Sequence, residues 1–203
     1  EVVLLDHRQR IHVGTQSDGA RAGPRRAVNH ADDAGLADAF VDLVHTGGAP
    51  ALSRLVAAGY VDVLFGGNAL AVHDIESNMY GTSLGVDLSK GSGVDHGHEN
   101  HIRAINRVRS HGSIAQAVAA GAITDGLMHA MVEADKPFVL VGSVRDDGPL
   151  PDVYTDVIEG QRAMRAQLQD VGFAIMVATM LHAIATGNIL PASIPLVCVD
   201  INP

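Results

Sequence analysis

VDVLFGGNALAVHD (residues 61–74) indicates most directly how this chain folds, because an apolar run passes into two glycines and then into helical sequence. A short Val- and Leu-rich run of this kind is typical of a strand buried on both faces. FVLV, IMVAT and LVCV run in the same way into GSVRDDG, MLHAIATGN and DINP. We therefore predict parallel strands in one sheet at Tyr60–Phe65, Pro137–Val141, Phe173–Thr179 and Leu196–Asp200, with a weaker fifth strand at Phe40–Val44.

Helical stretches separate these runs. Pro50 suits a first helical turn and Gly59 a helix end, which predicts a helix over Ala51–Ala58. Asp152 or Thr155 can cap a longer helix that runs through Gln169 and stops at Gly172. Further helices are predicted at Asn100–Arg109, Ala115–Ala120 and Asp125–Glu133, and the Gly/Ser-rich segment Tyr80–Asp95 is predicted to be a loop or lid. The alternation predicts an α/β protein with a Rossmann-like, mostly parallel sheet flanked by helices.

The chain divides into two parts. Residues 1–39 show no clear period beyond Val2–Leu5, and we interpret them as a leader or the remnant of a preceding domain. Residues 40–203 carry the strand and helix alternation of the Rossmann-like domain. Because the chain starts without Met and stops at Asn202-Pro203 just after an apolar run, we expect both ends to be cuts through a longer protein, with the domain incomplete at its C-terminus.

Composition excludes several classes of function. Of the 203 residues 47% are hydrophobic and 18% charged, which suits a buried core and not a disordered chain. A net charge of −9 without a basic stripe argues against nucleic acid as a partner. No apolar run approaches the ~20 residues of a membrane span, and a single cysteine, Cys198, suits inert core in a reducing compartment. We expect a cytoplasmic protein without membrane contacts that assembles as a homo-oligomer.

Candidate cofactor-binding residues follow the strands, since ligands of open parallel sheets bind beyond the carboxyl ends of the strands. Backbone N–H groups at Gly66-Gly67-Asn68-Ala69 can cradle a phosphate, and Gly47-Gly48 before the Pro50 helix can do the same. Asp200, at the end of its strand, can hold the ribose hydroxyls of a dinucleotide, and Gly142 and Ser143 follow another strand. For each single turn, the alternative is that Gly, Asn and Asp merely reverse the chain.

Charged residues near the strand ends are candidates for the substrate side. Arg145 can grip a carboxylate while Asp146 or Asp147 exchanges a proton, although a solvated turn with a local ion pair explains the same residues. His73 and Asp74 lie one turn into a helix that starts at the crevice, and His182 has the same position after its own strand.

The histidine-rich stretch DHGHENH raises the question of a metal. Asp95, His96, His98, Glu99 and His101 offer imidazole and carboxylate ligands, which suit zinc or iron. Their spacing matches no standard zinc motif, and a partly exposed polar helix start is the favoured interpretation. We therefore predict no resident metal.

Longer motifs carry a family resemblance. GGNALAVHDIE, YGTSLGVDL, HIRAIN, FVLVGSVRDDGPLPDV, TMLHAIATGNILPA and VCVDINP resemble the C-terminal region of archaeal-type ornithine cyclodeaminases, from about Val44 to Pro203. That family is related to lysine-oxoglutarate reductase/saccharopine dehydrogenase and also forms the C-terminal half of bifunctional arginine dihydrolase/ornithine cyclodeaminases. The resemblance implies an NAD-binding domain that converts L-ornithine into L-proline and ammonia, through an imine and with NAD recycled in the site.

The resemblance also implies roles for individual positions. Residues expected to contact NAD are Gly66, Gly67, Asn68, Ala69, Thr179, Met180, Asp200 and Asn202. Residues expected to face the substrate, ornithine or a related diamino acid, are His73, Asp74, Arg145, Asp146 and Asp147. Three alternatives stay open: a nucleotide-binding module without turnover, an NAD-dependent dehydrogenase of the saccharopine type, and a metal-dependent hydrolase built on DHGHENH.

Overall fold

The computed structural model describes residues 2–6, 42–45, 47–94, 97–144, 146, 148–177 and 181–199. The strands are β1 (Val2–Asp6), β2 (Val63–Gly67), β3 (Thr82–Ser83), β4 (Val86–Asp87), β5 (Ser92–Gly93), β6 (Phe138–Val141), β7 (Val153–Tyr154), β8 (Val171–Val177) and β9 (Leu196–Val199). The helices are α1 (Asp42–His45), α2 (Ala49–Ala57), α3 (Asn68–Tyr80), α4 (Gly97–His111), α5 (Ile114–Ala119), α6 (Leu127–Glu133), α7 (Val157–Ala166) and α8 (Leu181–Gly187).

The main sheet has six strands in the order β7-β6-β2-β1-β8-β9. β2, β6 and β7 pair in parallel, as do β8 and β9. β1 is antiparallel to both of its neighbours, so β2 and β8 point the same way. The four strands predicted with most weight therefore lie in one sheet and share one direction, which confirms that prediction.

The apolar character of β2 and β6 follows from helices on both faces of the sheet. The edge strand β9 is exposed instead, so the prediction that Cys198 is inert core is wrong. Leu64 of β2 packs into a core with α2 to α6, whereas its neighbours Val63 and Phe65 pack into a second core with α7 and the end of α8. Both cores are built from aliphatic side chains and methionine, with Phe65 the one aromatic residue among the fully buried side chains of the described part of the chain. Alternate residues thus face different helix layers, and neither face of the central strands meets water.

The structure differs from the sequence analysis at the N-terminal end. Val2–Asp6, assigned above to a leader, forms the strand between β2 and β8, with Leu4 fully buried. The prediction of a strand at Phe40–Val44 is wrong for its described part, because Asp42–His45 is a short helix. Its apolar residues Leu43 and Val44 are buried, and a run this short can bury them in either conformation.

Two predictions after the middle of the chain also need correction. The predicted helix through Gln169 is shorter: Asp156 caps α7 by accepting hydrogen bonds from the N–H groups of Ile158 and Glu159, and Gly172 lies inside β8. Asp152 instead accepts a hydrogen bond from the N–H of Ile114 at the start of α5. The predicted loop between residues 80 and 95 contains the three-stranded sheet β3-β4-β5. Among the described residues, no helix is long and apolar enough to cross a membrane.

Candidate functional site

The strand order reverses beside β2, where a ligand crevice is expected in an open α/β sheet. From β2 the chain moves outward to β6 and β7, then returns to β8 on the opposite side of β1 and continues to β9. Ligands of open α/β sheets bind where the strand order reverses in this way, beyond the carboxyl ends. Helix α3 follows β2 and helix α8 follows β8, so both helix starts border this edge.

The junction of β2 and α3 brings backbone N–H groups to the crevice. Gly66 and Gly67 still pair with Leu140 and Val141 of β6, and α3 begins directly at Asn68. Gly67 is the N-cap residue in an extended conformation, and no described side chain caps the first turn. The first N–H groups of this 13-residue helix are therefore available to an anion.

Glycine at position 67 keeps the crevice open on the side of α8. A Cβ atom at this position would lie 3.2 Å from Nε2 of His182. Burial lowers the pKa of His182 to about 4, so the imidazole that faces Gly67 is neutral at physiological pH. His182, noted above for its place after a strand, thus lies across from the start of α3.

Asn68 connects this junction to the segment after β6. Its side chain is buried, and its Oδ1 accepts a hydrogen bond of 2.9 Å from the N–H of Leu150. Its Nδ2 donates to the carbonyl oxygen of Gly148 at 3.4 Å. The predicted cofactor residue therefore holds the loop that contains the predicted substrate residues, and it brings two of the predicted regions together.

The loop itself is shaped by Asp146. Its Oδ2 accepts a hydrogen bond of 2.6 Å from the N–H of Ser143, and a Cβ atom on Gly142 would lie 3.2 Å from the same oxygen. The carboxylate predicted to exchange a proton thus closes a turn directly after β6. Arg145 and Asp147 lie outside the described residues, as do Thr179, Met180, Asp200 and Asn202.

Asp74 has a partner that the sequence did not indicate. Its carboxylate accepts hydrogen bonds of 2.9 Å from the N–H groups of Leu127 and Met128, so it caps the start of α6 from α3. Burial raises the pKa of Asp74 to about 6, even though these two hydrogen bonds lower it. Because both carboxylate oxygens are engaged, this geometry favours a positioning role for Asp74 over the predicted contact with substrate.

Gly47 lies apart from the β2–α3 junction. With Asp74 it lines an open groove of about 870 Å³ between α2, α3 and α6, which none of residues 66–69 lines. Gly47 adopts a left-handed conformation with φ of 74°, and Gly48 is the N-cap residue of α2. The two places predicted to hold phosphate are therefore separate surfaces, and only the β2–α3 junction lies at the edge of the sheet.

His73 belongs to a buried polar cluster formed by His73, Glu76 and His101, which we call the His–Glu–His cluster. Nδ1 of His101 lies 3.1 Å and Nδ1 of His73 lies 3.7 Å from Oε2 of Glu76. Burial alone would raise the pKa of Glu76, but interactions with His101, His73 and Thr82 lower it to about 2. Glu76 is therefore ionised at physiological pH.

Sequence reasoning missed Glu76. The signal available was its spacing of three residues from His73, which puts both side chains on the same face of a helix. Of the DHGHENH stretch, His101 alone joins the cluster among the residues whose side chains the structure describes, and Glu99 pairs instead with Arg103 on the surface.

The chain has a six-stranded sheet between helix layers, and a strand that ends in two glycines leads directly into an uncapped helix start where the strand order reverses. These features define a Rossmann-like α/β domain. The chain belongs to the family of the arginine dihydrolase ArgZ-like C-terminal Rossmann fold, whose model matches residues 34–203.

Relatives in this family include ornithine cyclodeaminases. Ornithine cyclodeaminase of Methanothermobacter thermautotrophicus is 58% identical over 161 residues, which cover 79% of this chain and 39% of that enzyme. The crystal structure of a conserved LOR/SDH protein from Methanococcus maripaludis has a TM-score of 0.76 at 48% identity, covering 79% of this chain and 49% of that one. The ternary complex of AgrE, a bifunctional enzyme of Nostoc sp., with ornithine and NAD⁺ has a TM-score of 0.76 at 52% identity, covering 79% of this chain and 24% of that one. This chain thus spans well under half the length of the curated relatives it matches.

Proposed function

We propose that this chain is the NAD-binding Rossmann-like part of an ornithine cyclodeaminase, which converts L-ornithine into L-proline and ammonia. The relatives named above support the activity, and the AgrE complex supports both ligands. The observation that carries the proposal in this chain is the uncapped start of α3 at the reversal of strand order.

The residues at this junction fit a dinucleotide. The free N–H groups at the start of α3 and the positive end of the helix dipole suit a pyrophosphate. Gly67 fits a close approach of the cofactor to the backbone, because a Cβ atom there would crowd the space toward His182. We assign Gly66, Gly67, Asn68 and Ala69 to this contact, with Thr179, Met180, Asp200 and Asn202 as further proposed contacts. When bound, NAD supplies a hydride acceptor that is regenerated within the same reaction cycle.

The protein's own residues bind and orient the amino acid in this proposal. Arg145 binds the α-carboxylate, because a guanidinium pairs with a carboxylate through two hydrogen bonds. Asp147 exchanges a proton with the substrate amines, while Asp146 keeps the turn after β6 in place through the N–H of Ser143. Asn68 connects the cofactor side to the segment after this turn by accepting a hydrogen bond from the N–H of Leu150.

The activity can be tested with the full-length protein, L-ornithine and a small amount of NAD⁺. We expect proline and ammonia in equal amounts, far exceeding the NAD⁺ supplied, because the cofactor is recycled. Accumulation of NADH in proportion to ornithine consumed would instead indicate a dehydrogenase, and NAD binding without any turnover would indicate a regulatory module. A parallel reaction with L-lysine tests the choice between diamino acids.

The cofactor site can be tested separately at Gly67. In Gly67→Ala we expect NAD to bind at least about tenfold more weakly, a loss of ~1.4 kcal/mol, because the methyl group enters the crevice between α3 and His182. Gly93→Ala is the matched control, since a Cβ atom there meets nothing within 4 Å. Equal NAD affinities of the two variants, measured by calorimetry, would remove the β2–α3 junction from the cofactor site.

A further inference from the structure

The His–Glu–His cluster lies inside the protein, where a charge needs compensation. His73 is 3%, Glu76 0% and His101 6% exposed. Among the described residues, the partners of Glu76 are the hydroxyl of Thr82, the N–H of Leu84 and the two imidazoles, which carry a positive charge only when protonated. A buried carboxylate is costly unless an opposite charge or a metal ion faces it.

We propose that His73, Glu76 and His101 bind a divalent transition-metal ion, with zinc as the ion to test. The ligand atoms of the three side chains all lie within 4.8 Å of one another. Two imidazoles and one carboxylate are a ligand set that zinc and iron accept in proteins.

The distances between the ligand atoms are compatible with a shared metal ion. Zinc bonds of ~2.0–2.2 Å in a tetrahedron place neighbouring ligand atoms about 3.3 to 3.6 Å apart. The separations from Oε2 of Glu76 to the two Nδ1 atoms, 3.1 Å and 3.7 Å, lie just below and just above this range. The 3.1 Å between His101 and Glu76 is a hydrogen-bonding distance, whereas the 3.7 Å between His73 and Glu76 exceeds one. An ion bound by all three side chains would therefore add a link between His73 and Glu76 that a hydrogen bond does not supply.

Neighbouring residues orient the carboxylate as metal sites require. Oγ1 of Thr82 donates a hydrogen bond of 2.9 Å to Oε1 of Glu76, which leaves Oε2 facing the histidines. Nδ2 of Asn100 in turn donates to Oγ1 of Thr82 at 3.1 Å. Oγ of Ser83 forms a hydrogen bond of 3.1 Å with Nδ1 of His73, which a metal ion would replace, and the hydroxyl then offers a further oxygen beside the cluster. Such outer partners set the orientation and basicity of metal ligands.

The site would join residues from elements that already pack against one another. His73 and Glu76 come from α3, His101 from α4, and Thr82 and Ser83 from β3. A metal here stabilises the packing of these elements on α3, and the inference does not depend on ornithine or NAD.

The test begins with the full-length protein stripped by a chelator and refolded with zinc, because the cluster is buried. We expect one zinc per chain by elemental analysis, a rise in the melting temperature that a chelator reverses, and visible absorption of four-coordinate cobalt after substitution. A zinc content far below one per chain, with no change in melting temperature, overturns the proposal and leaves a hydrogen-bonded network.

Two carboxylate variants show whether zinc binds to the His–Glu–His cluster or to the DHGHENH motif. Glu76→Gln should weaken zinc binding by more than the roughly 10- to 100-fold that outer-partner changes cost, whereas Glu99→Gln, in DHGHENH but outside the cluster, should bind like the wild type. Wild-type affinity in Glu76→Gln, or an equal loss in Glu99→Gln, contradicts the assignment. If Glu76→Gln does not fold, Thr82→Val decides, with an expected loss of about 10- to 100-fold; an unchanged zinc affinity in that variant counts against the site.

Discussion

Asp74 makes stability depend on pH in a direction unusual for a carboxylate. Its pKa in the folded protein, about 6, lies above the ordinary value of 3.8, so the folded state holds a proton that the unfolded state releases between pH 4 and 6. The stabilisation from this proton is complete below about pH 4 and is lost as the pH rises through 6. Asp74→Asn has one acceptor oxygen in place of two and therefore loses one of the two hydrogen bonds at every pH, but it does not titrate. The free energy of unfolding of the variant, measured relative to wild type, should therefore rise by up to about 3 kcal/mol from pH 4 to pH 7.

The comparison is made on the free energy of unfolding by denaturant at several pH values. The quantity to compare is the free energy of unfolding of the variant minus that of the wild type. This subtraction is needed because His182, with its pKa lowered to about 4, changes stability in the opposite sense over the same pH range in both proteins. Asp135→Asn, a change at an exposed position, controls for the removal of one negative charge. A difference between Asp74→Asn and wild type that stays constant from pH 4 to 7 would show that Asp74 does not titrate there.

The start of α4 packs directly on the small sheet of β3, β4 and β5. A Cβ atom on Gly97 would lie 2.8 Å from the carbonyl oxygen of Gly85, and this neighbour is backbone that cannot rotate away. We expect Gly97→Ala to lower the free energy of unfolding by about 2 kcal/mol or more, although alanine favours helix. Gly93→Ala, in the same sheet but facing open space, should change it by less than about 0.5 kcal/mol. Similar melting temperatures of the two variants would show that α4 does not rest on Gly85.

The preference for NAD over NADP depends on the tertiary structure, because it requires β9 to end at the same edge of the sheet as β2. β9 pairs with β8 through Val199, the residue before Asp200. A carboxylate at this point can accept hydrogen bonds from both ribose hydroxyls of NAD and repels the 2′-phosphate of NADP. We expect the full-length protein to bind NAD at least about tenfold more tightly than NADP. In Asp200→Ala the difference between the two affinities should be smaller, because NAD binds more weakly. Equal affinities of the wild type for NAD and NADP would show that Asp200 only helps the chain to turn and does not bind the ribose.

Helices whose ends are marked by nearby residues were predicted from the sequence. Pro50 and Gly59 indicated α2, because proline suits the first turn and glycine adopts the left-handed conformation that ends a helix, here with φ of 78°. Asp152 misled the prediction, since a capping residue binds whichever helix start lies nearest in space, and that was α5. A cap in a sequence therefore indicates a helix start without saying which one.

Some features of the site were visible in the sequence and others were not, because only some of them are local. The junction of the glycines with the helix that follows them was predicted, because strand ends and glycine runs are visible along the chain, although Gly66 and Gly67 prove to be the last residues of β2 itself. The partners of Asn68, Asp74 and Glu76 were not, because they lie 82, 53 and 25 residues away. Hydrogen bonds between such positions leave no period or motif in the sequence.

The sequence by itself determined the α/β class, the common direction of the four main strands and the family, because hydrophobic patterning and long motifs are properties of the chain read in order. The tertiary structure alone decided that Val2–Asp6 lies antiparallel between β2 and β8, that Asp74 caps α6, and that His73, Glu76 and His101 meet in the interior. These outcomes depend on which surfaces pack together, and that choice is made by the burial of side chains from distant segments against one another.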